Sequence, residues 1–349
     1  MGLLTLEQRP MDEIDWQALD AFADRQFHQR RHWLEFIAAF TGGKAVVAEI
    51  ADGGQTVGYF SGVLFRKFGI PILGSPFRGW TSAYLGFNLE PGVSRAAALQ
   101  ALETFAFRKL GAWHLEVTDR HLTQEEGVEL GFVPRTYEGY LTKLDRSEDD
   151  IFAGMTSACR RAIRKSIKEG VTVEEAKPEG FAAEFYDQLK EVFAKQEMTP
   201  TYSFDRVKKL IEFIHPSGDL LLARVRNRDG LSIATGIYPG FRDMALFWGN
   251  GSLRQHQNLR PNEALHWFAM RHWRARGVTE FDWGGAASYK AKYGVQEFTV
   301  PALRKSRTKS IQWARDLAER AYYYPRWIKR RRHVKRIGVP DVVEPGGVR

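Results

Sequence analysis

The stretch Phe281–Gly294, FDWGGAASYKAKYG, brings one carboxylate, three glycines and two lysines into a single strand-to-loop junction. It follows a 17-residue apolar helical pattern from Pro261 to Gly277. Strand ends that feed glycine-rich loops are common mounts for reactive side chains. The same order of elements occurs earlier in the chain. ALETFAFRKLGAWHLEVTD, starting at Ala101, lies beside ALHWFAMRHWRARGVTEFDW, starting at Ala264, so that Leu102, Phe105 and Ala106 match Leu265, Phe268 and Ala269. A repeated helix, glycine, strand unit predicts an internally duplicated chain.

A length of 349 residues exceeds what one core usually supports, and 44% hydrophobic residues suffice for two. After a short helix near Trp33–Phe40, the runs Ala45–Ile50 and Thr56–Phe65 flank the turn ADGGQ and read as a hairpin. A Gly/Pro-rich connector over 68–86 leads to a helix over Arg95–Leu110, a strand in WHLEV and another in Tyr137–Leu144. The second half repeats the plan: a strand at Val171–Glu175, helices at Phe181–Gln196 and Phe204–Ile214, then strands in Leu220–Arg226, Ser232–Tyr238 and Met244–Trp248. The expected class is α+β, with domains over residues 1–145 and 146–305, each a mixed sheet flanked by helices, and a basic helix and loose tail over 306–349.

No apolar run approaches the roughly 18 residues that span a bilayer. Asp12, Glu13 and Asp15 stand where a signal peptide needs an apolar core. The single Cys159 forms no internal disulfide and fits a reducing cytoplasm. The net charge of +9 is concentrated: Arg304–Arg336 carries thirteen Lys/Arg against Asp316 and Glu319. The rest of the chain is slightly acidic. Interleaved with the cations are Trp313, Tyr322, Tyr323, Tyr324 and Trp327, a composition that suits an anionic membrane surface or a nucleic-acid backbone.

Ser157–Gly170, SACRRAIRKSIKEG, reads as a helix with Arg160, Arg161, Arg164, Lys165 and Lys168 crowded along it. Like charges at i, i+4 spacing repel, so an anion is expected against them, and a phosphate is the natural one. Asp282 alternates with Phe281 and Trp283 and is expected either to face a cleft, taking a proton from an attacking amine, or to cap the turn through the amides of Gly284 and Gly285. Lys290 and Lys292 are candidates to neutralise an oxyanion or a phosphate. Arg254 and Arg260, in GSLRQHQNLRP before the long helix, are candidate anion ligands at its N-terminus. His256 has no companion ligands, so no metal site is expected. No Ser-His-Asp spacing, P-loop, dinucleotide fingerprint or pyrophosphate-cradling glycine loop is present.

Together these segments resemble the FemAB/FemX-like aminoacyltransferases of the GNAT superfamily. RRAIRKSIKEGVTVEEA, PNEALHWFAMRHWRARGVTEFDWGG and YKAKYG occur in that family's order, the last with tyrosines where the family's Phe-Lys-x-x-Phe-Gly has phenylalanines. The resemblance covers roughly residues 145–300. It implies two tandem GNAT-like acyltransferase domains and transfer of an amino acid from aminoacyl-tRNA to an amine on a peptidoglycan-type envelope precursor, with no CoA and no metal. It further implies that Lys290 polarises the acyl ester or stabilises the oxyanion and that Tyr289 shapes the site.

On that reading Asp282 holds the amine, while Arg160, Arg161, Arg164, Lys165, Arg254 and Arg260 hold substrate phosphate. The basic segment 304–336 then keeps a cytoplasmic enzyme at the inner membrane face. Two alternatives stand beside it. One is an acyl-CoA-dependent N-acyltransferase acting on an exopolysaccharide or another envelope molecule. The other is a non-catalytic membrane or nucleic-acid binding protein.

Overall fold

The computed structural model describes residues 3–194, 200 and 202–321. The chain forms two compact units: one runs from the N-terminus to Tyr137 and resumes at Thr299, and the other is Glu138–Phe298. The last strand therefore returns to the first unit, where the sequence reading placed residues up to 305 in the second. Residues 322–349, with Tyr322, Tyr323, Tyr324 and Trp327 of the basic aromatic segment, lie outside the described residues.

In the first unit the order is β1 (Thr5–Arg9), α1 (Trp16–Asp20), α2 (Arg31–Thr41), β2 (Lys44–Asp52), β3 (Gln55–Lys67), β4 (Ile70–Ser75), β5 (Gly86–Leu89), α3 (Arg95–Thr104), β6 (His114–Thr118), α4 (Gln124–Glu129) and the start of β7 (Val133–Lys143). Strands β1, β2, β3, β4 and β6 lie side by side in that order. The β2–β3 hairpin turns at Gly53 and Gly54, whose φ values of 57° and 90° suit residues without a Cβ. The connector expected over 68–86 contains β4, antiparallel to β3 and parallel to β6. A parallel pair needs a crossover, and α3, capped by the Ser94 hydroxyl on the Ala97 N–H, supplies it.

The second unit continues with α5 (Glu148–Gly154), α6 (Ser157–Lys168), β8 (Thr172–Glu175), α7 (Phe181–Ala194), α8 (Phe204–Ile214), β9 (Leu220–Arg226), β10 (Ser232–Phe241), β11 (Met244–Leu246), β12 (Gly249–Ser252), α9 (Pro261–Ala275) and β13 (Glu280–Asp282). β14 (Gln296–Ser306) carries the chain back, and residues 309–321 are helical. The sheet order is β7-β13-β11-β10-β9-β8, with β12 also on β10. Strands β9 and β10, rich in apolar residues, are buried almost throughout.

The internal duplication is visible in three dimensions. In each unit a helix (α3, α9) is followed by a glycine in the left-handed region (Gly111, φ 67°; Gly277, φ 85°) and then by a strand parallel to an earlier one, β6 on β4 and β13 on β11. The strand expected over Met244–Trp248 ends at Leu246 as β11, and β12, which the sequence reading did not include, follows over Gly249–Ser252. Residues 249–252 (GNGS) can cross α7 closely only because a Cβ at Gly251 would stand 2.8 Å from the Leu189 backbone nitrogen. Gly251→Ala should therefore destabilise the protein by about 1–3 kcal/mol, read as a lowered midpoint in urea at unchanged m-value.

Candidate active site

The site begins where two parallel strands part. β11 and β13 pair as far as Leu246 and Asp282, and the Phe247 N–H still donates to the Asp282 carbonyl at 2.8 Å. Beyond that point the Trp248 N–H donates to Ile237 and the chain joins β10, whereas the N–H groups of Trp283 and Ala286 donate to Tyr140 and Glu138. The backbones separate because each finds a different partner strand. At this fork the buried indole N–H of Trp248 has no hydrogen-bond partner among the described residues, and Asn250 reaches Asn262 in the first turn of α9 at 3.0 Å.

After the fork, the WGG turn is built around Lys290. Gly284 and Gly285 adopt φ values of 65° and 105°, which turn the Trp283 and Gly285 carbonyls toward one point. The Lys290 Nζ sits there and donates to them at 2.5 and 3.0 Å. Lys290 is only 6% exposed, and its ammonium also lies 5.3 Å from the Phe247 ring centroid. Burial lowers its pKa to about 8 against the opposing pull of Asp282. Asp282 itself is fully buried, with Oδ1 accepting from the Gly284 N–H at 2.7 Å. The structure thus shows Asp282 capping the turn through Gly284 in place of facing an open cleft.

Aromatic rings fix this turn from behind. Trp283 stacks on Tyr293 at 4.5 Å and donates its indole N–H to Thr142, whose hydroxyl donates to the Tyr293 carbonyl. His266 packs edge-on to Phe247, Trp283 and Tyr293 and is hydrogen-bonded to Tyr238 at 2.9 Å. Burial, and then the charges of Lys292 and Lys290, push its pKa down to about 3, so it is a neutral core residue. Lys292 pairs with Glu263 of α9 at 2.6 Å, and its carbonyl accepts from Thr156, the cap of α6. It is thus spent on joining three elements and is not presented to an oxyanion. Tyr289, 54% exposed with its ring 5.6 Å from the Lys290 Nζ, stands on the solvent side.

The expected phosphate ligands divide. Arg160 folds back onto the carbonyls of Ala153 and Met155, and Arg164 lies 5.1 Å over the Phe152 ring. Arg161, Arg164, Lys165 and Lys168 form an exposed stripe opposite the buried Cys159, Ile163 and Ser166. Arg254 and Arg260 are exposed around the turn leading into α9, where Arg260 has a φ of 59°. Sequence reasoning missed Glu263 and the Thr142–Trp283 bond. Glu263, in the first turn of a helix that opens with proline, was the one with a local signal. Among the described residues no group of His, Cys, Asp and Glu is arranged to hold a metal, and no helix is long and apolar enough to cross a membrane.

Residues 155–293, which contain the fork, the turn and α6, match the family model of the acetyltransferase (GNAT) domain. The chain thus carries a GNAT domain over these residues, which supports an acyltransferase. Its fold is similar to that of FemX, with a TM-score of 0.69 at 15% identity over 84% of this chain and 96% of that one. It is also similar to the C-terminal domain of a putative lysylphosphatidylglycerol synthetase from Agrobacterium fabrum, at a TM-score of 0.53 and 13% identity over 89% and 98%. A conserved protein of unknown function from Bacteroides thetaiotaomicron follows at 0.54 and 11%, over 85% and 99%. At such identities the likeness is one of fold. No curated protein sequence matches the chain.

In this GNAT domain the Lys290 clamp has a measurable signature. Its pKa is about 8 when folded against an ordinary value of 10.5, so between those values the unfolded chain holds more protons and stability rises with pH. Lys290→Met removes that rise and leaves two carbonyls without their donor, a loss of about 1–3 kcal/mol. Denaturant titrations should show the gap between wild type and Lys290→Met widening from pH 8 to pH 10.

Proposed function

We propose that this acyltransferase moves an acyl or aminoacyl group from an activated ester onto an amine of a cell-envelope precursor. The observation that carries the reading is Lys290, a desolvated ammonium held on two carbonyls at the mouth of the strand fork. An incoming amine nitrogen bonds to the acyl carbon, and the carbonyl electron pair becomes an oxyanion. Lys290 exchanges a backbone carbonyl for that oxyanion, which bears full charge and is the stronger acceptor. Asp282 keeps Lys290 protonated and takes up the amine's proton as its cap on Gly284 loosens. Collapse expels the ester oxygen with its electron pair. Tyr289 borders the entrance, and the exposed cations of α6, with Arg254 and Arg260, hold phosphate groups of the substrates.

Aminoacyl-tRNA is the proposed donor, in keeping with the FemX-like fold and the family motifs. The name of the Agrobacterium relative likewise pairs an amino acid with a lipid. A second donor, acyl-CoA, is favoured by the match to the acetyltransferase (GNAT) domain model and would leave through its sulfur. Purified protein incubated with labelled aminoacyl-tRNA or labelled acyl-CoA and an envelope lipid extract distinguishes them. Label from tRNA supports the first reading, and label from CoA alone replaces it with the second.

If Lys290 acts as an ammonium, kcat/KM should decline as pH rises through about 8, and the decline should disappear in Lys290→Arg. A rate that climbs through the same range would make Lys290 a base and defeat the assignment. We also propose that the basic aromatic segment contacts anionic membrane. Since β14 extends to Ser306 and Arg315 and Glu319 are tied into the first unit, the informative truncation ends at Ala321. That shortened protein should lose sedimentation with phosphatidylglycerol vesicles while keeping its thermal midpoint.

A further inference from the structure

We propose that Arg78, Arg135 and Arg304 form a binding site for a phosphate dianion, which the chain's own Glu319 fills in the observed state. The helix over 309–321 and the ligand then compete. This site is separate from the Lys290 fork and does not depend on the transfer chemistry proposed there.

The three guanidiniums come from distant parts of the first unit: the connector after β4, β7 and β14. All converge on one carboxylate. Arg78 reaches Glu319 at 2.5 Å, Arg135 grips both its oxygens, and Arg304 reaches it at 3.1 Å. Arg315, from Glu319's own helix, adds a fourth contact at 2.7 Å and also pairs with the buried Glu116. One carboxylate is a poor match for so many donors, and the Arg304 Nε is buried without a partner among the described residues. A phosphate offers more acceptor oxygens and twice the charge, and arginine forks recognise it in pairs of hydrogen bonds.

Charge balance points the same way. As observed, Arg78, Arg135, Arg304 and Arg315 face Glu116, Asp316 and Glu319, an excess of one positive charge. Lifting the helix removes Arg315, Asp316 and Glu319 and leaves three arginines against Glu116, an excess of two. His114, hydrogen-bonded to Glu116 at 3.2 Å, has its pKa lowered by burial and adds no charge near neutrality. Lys67, whose ammonium also feels Glu116 and Glu319, adds to the positive charge of the vacated site, and a dianion offsets it.

The helix is also easy to lift. No residue over 309–321 is buried, and Trp313 and Leu317 are 69% and 53% exposed. Its described attachments are polar: the Gln312 carboxamide oxygen accepts from Ser306 at 2.9 Å, and Arg315 and Glu319 make the ion pairs above. Without an apolar face in the core, docking rests on charge, and a competing anion acts directly on it.

Calorimetric titration of the full chain with inorganic phosphate at low salt tests this. Glu319→Gln should bind phosphate at least tenfold more tightly than wild type, and adding Arg135→Gln should erase the gain. In wild type, phosphate should speed tryptic cleavage after Lys309, followed by mass spectrometry. If folded Glu319→Gln binds no tighter than wild type, the site is only an internal staple and the proposal fails. Should Glu319→Gln not fold, Glu319→Asp serves in its place with the same expectation and the same refutation. Phosphatidylcholine vesicles carrying phosphatidate form a parallel arm. A gain for free phosphate alone assigns a soluble ligand, and a gain on vesicles assigns a lipid headgroup.

Discussion

The second unit depends on one desolvated charge. A lysine ammonium that is 6% exposed is tolerable only with partners, and Lys290 finds them in two carbonyls that point the same way because Gly284 and Gly285 hold positive φ. The turn so formed sends the chain toward β7 while Phe247–Ser252 goes to β10, which opens the fork. The same residue therefore shapes the site and is its proposed reagent. A group held by exchangeable carbonyl contacts, with its pKa already near 8, has little to lose in turning to a stronger acceptor.

Charge is handled differently in the first unit. There burial alone would raise the pKa of Glu116 and Glu319, but the hydrogen bond from His114 to the one, that from Arg135 to the other, and the nearby charges of Arg315, Arg135 and Arg78 hold both down at about 2. The carboxylates stay ionised at any working pH, and the network is governed by ionic strength and competing anions more than by protons. The two units share a helix, glycine, parallel-strand scaffold but not a site: the junction after β13 is a lysine-clamped turn, whereas Asp119, at the end of β6, accepts from the Phe87 N–H and Arg95.

The resemblance to GNAT acyltransferases came from short motifs whose physical meaning the structure supplies. The tyrosines of YKAKYG play opposite parts: Tyr293 is buried against Trp283, while Tyr289 stands in solvent. Of the lysines in the same segment, Lys292 is tied to Glu263 and only Lys290 is placed on exchangeable partners. Equivalent residue types in one motif thus have distinct duties, set by which helix or strand lies opposite.

What the sequence determined by itself was local. Pro261 and Gly277 bracket α9, Asp52-Gly53-Gly54-Gln55 turns the β2–β3 hairpin, and the apolar runs of β9 and β10 announce buried strands, because periodicity, φ restriction and capping act within a few residues. β4 was hidden by its proline and glycine, and β12 by the glycines of GNGS, while β11 stops at Leu246 because the chain there changes its partner strand. Only tertiary structure decided which charges were free. Asp282 turned out to be a cap, Arg160 an anchor from α6 onto the end of α5 and Glu319 the ligand of arginines as far as 241 positions away, since pairing of charges is settled by distances in space that sequence spacing does not encode.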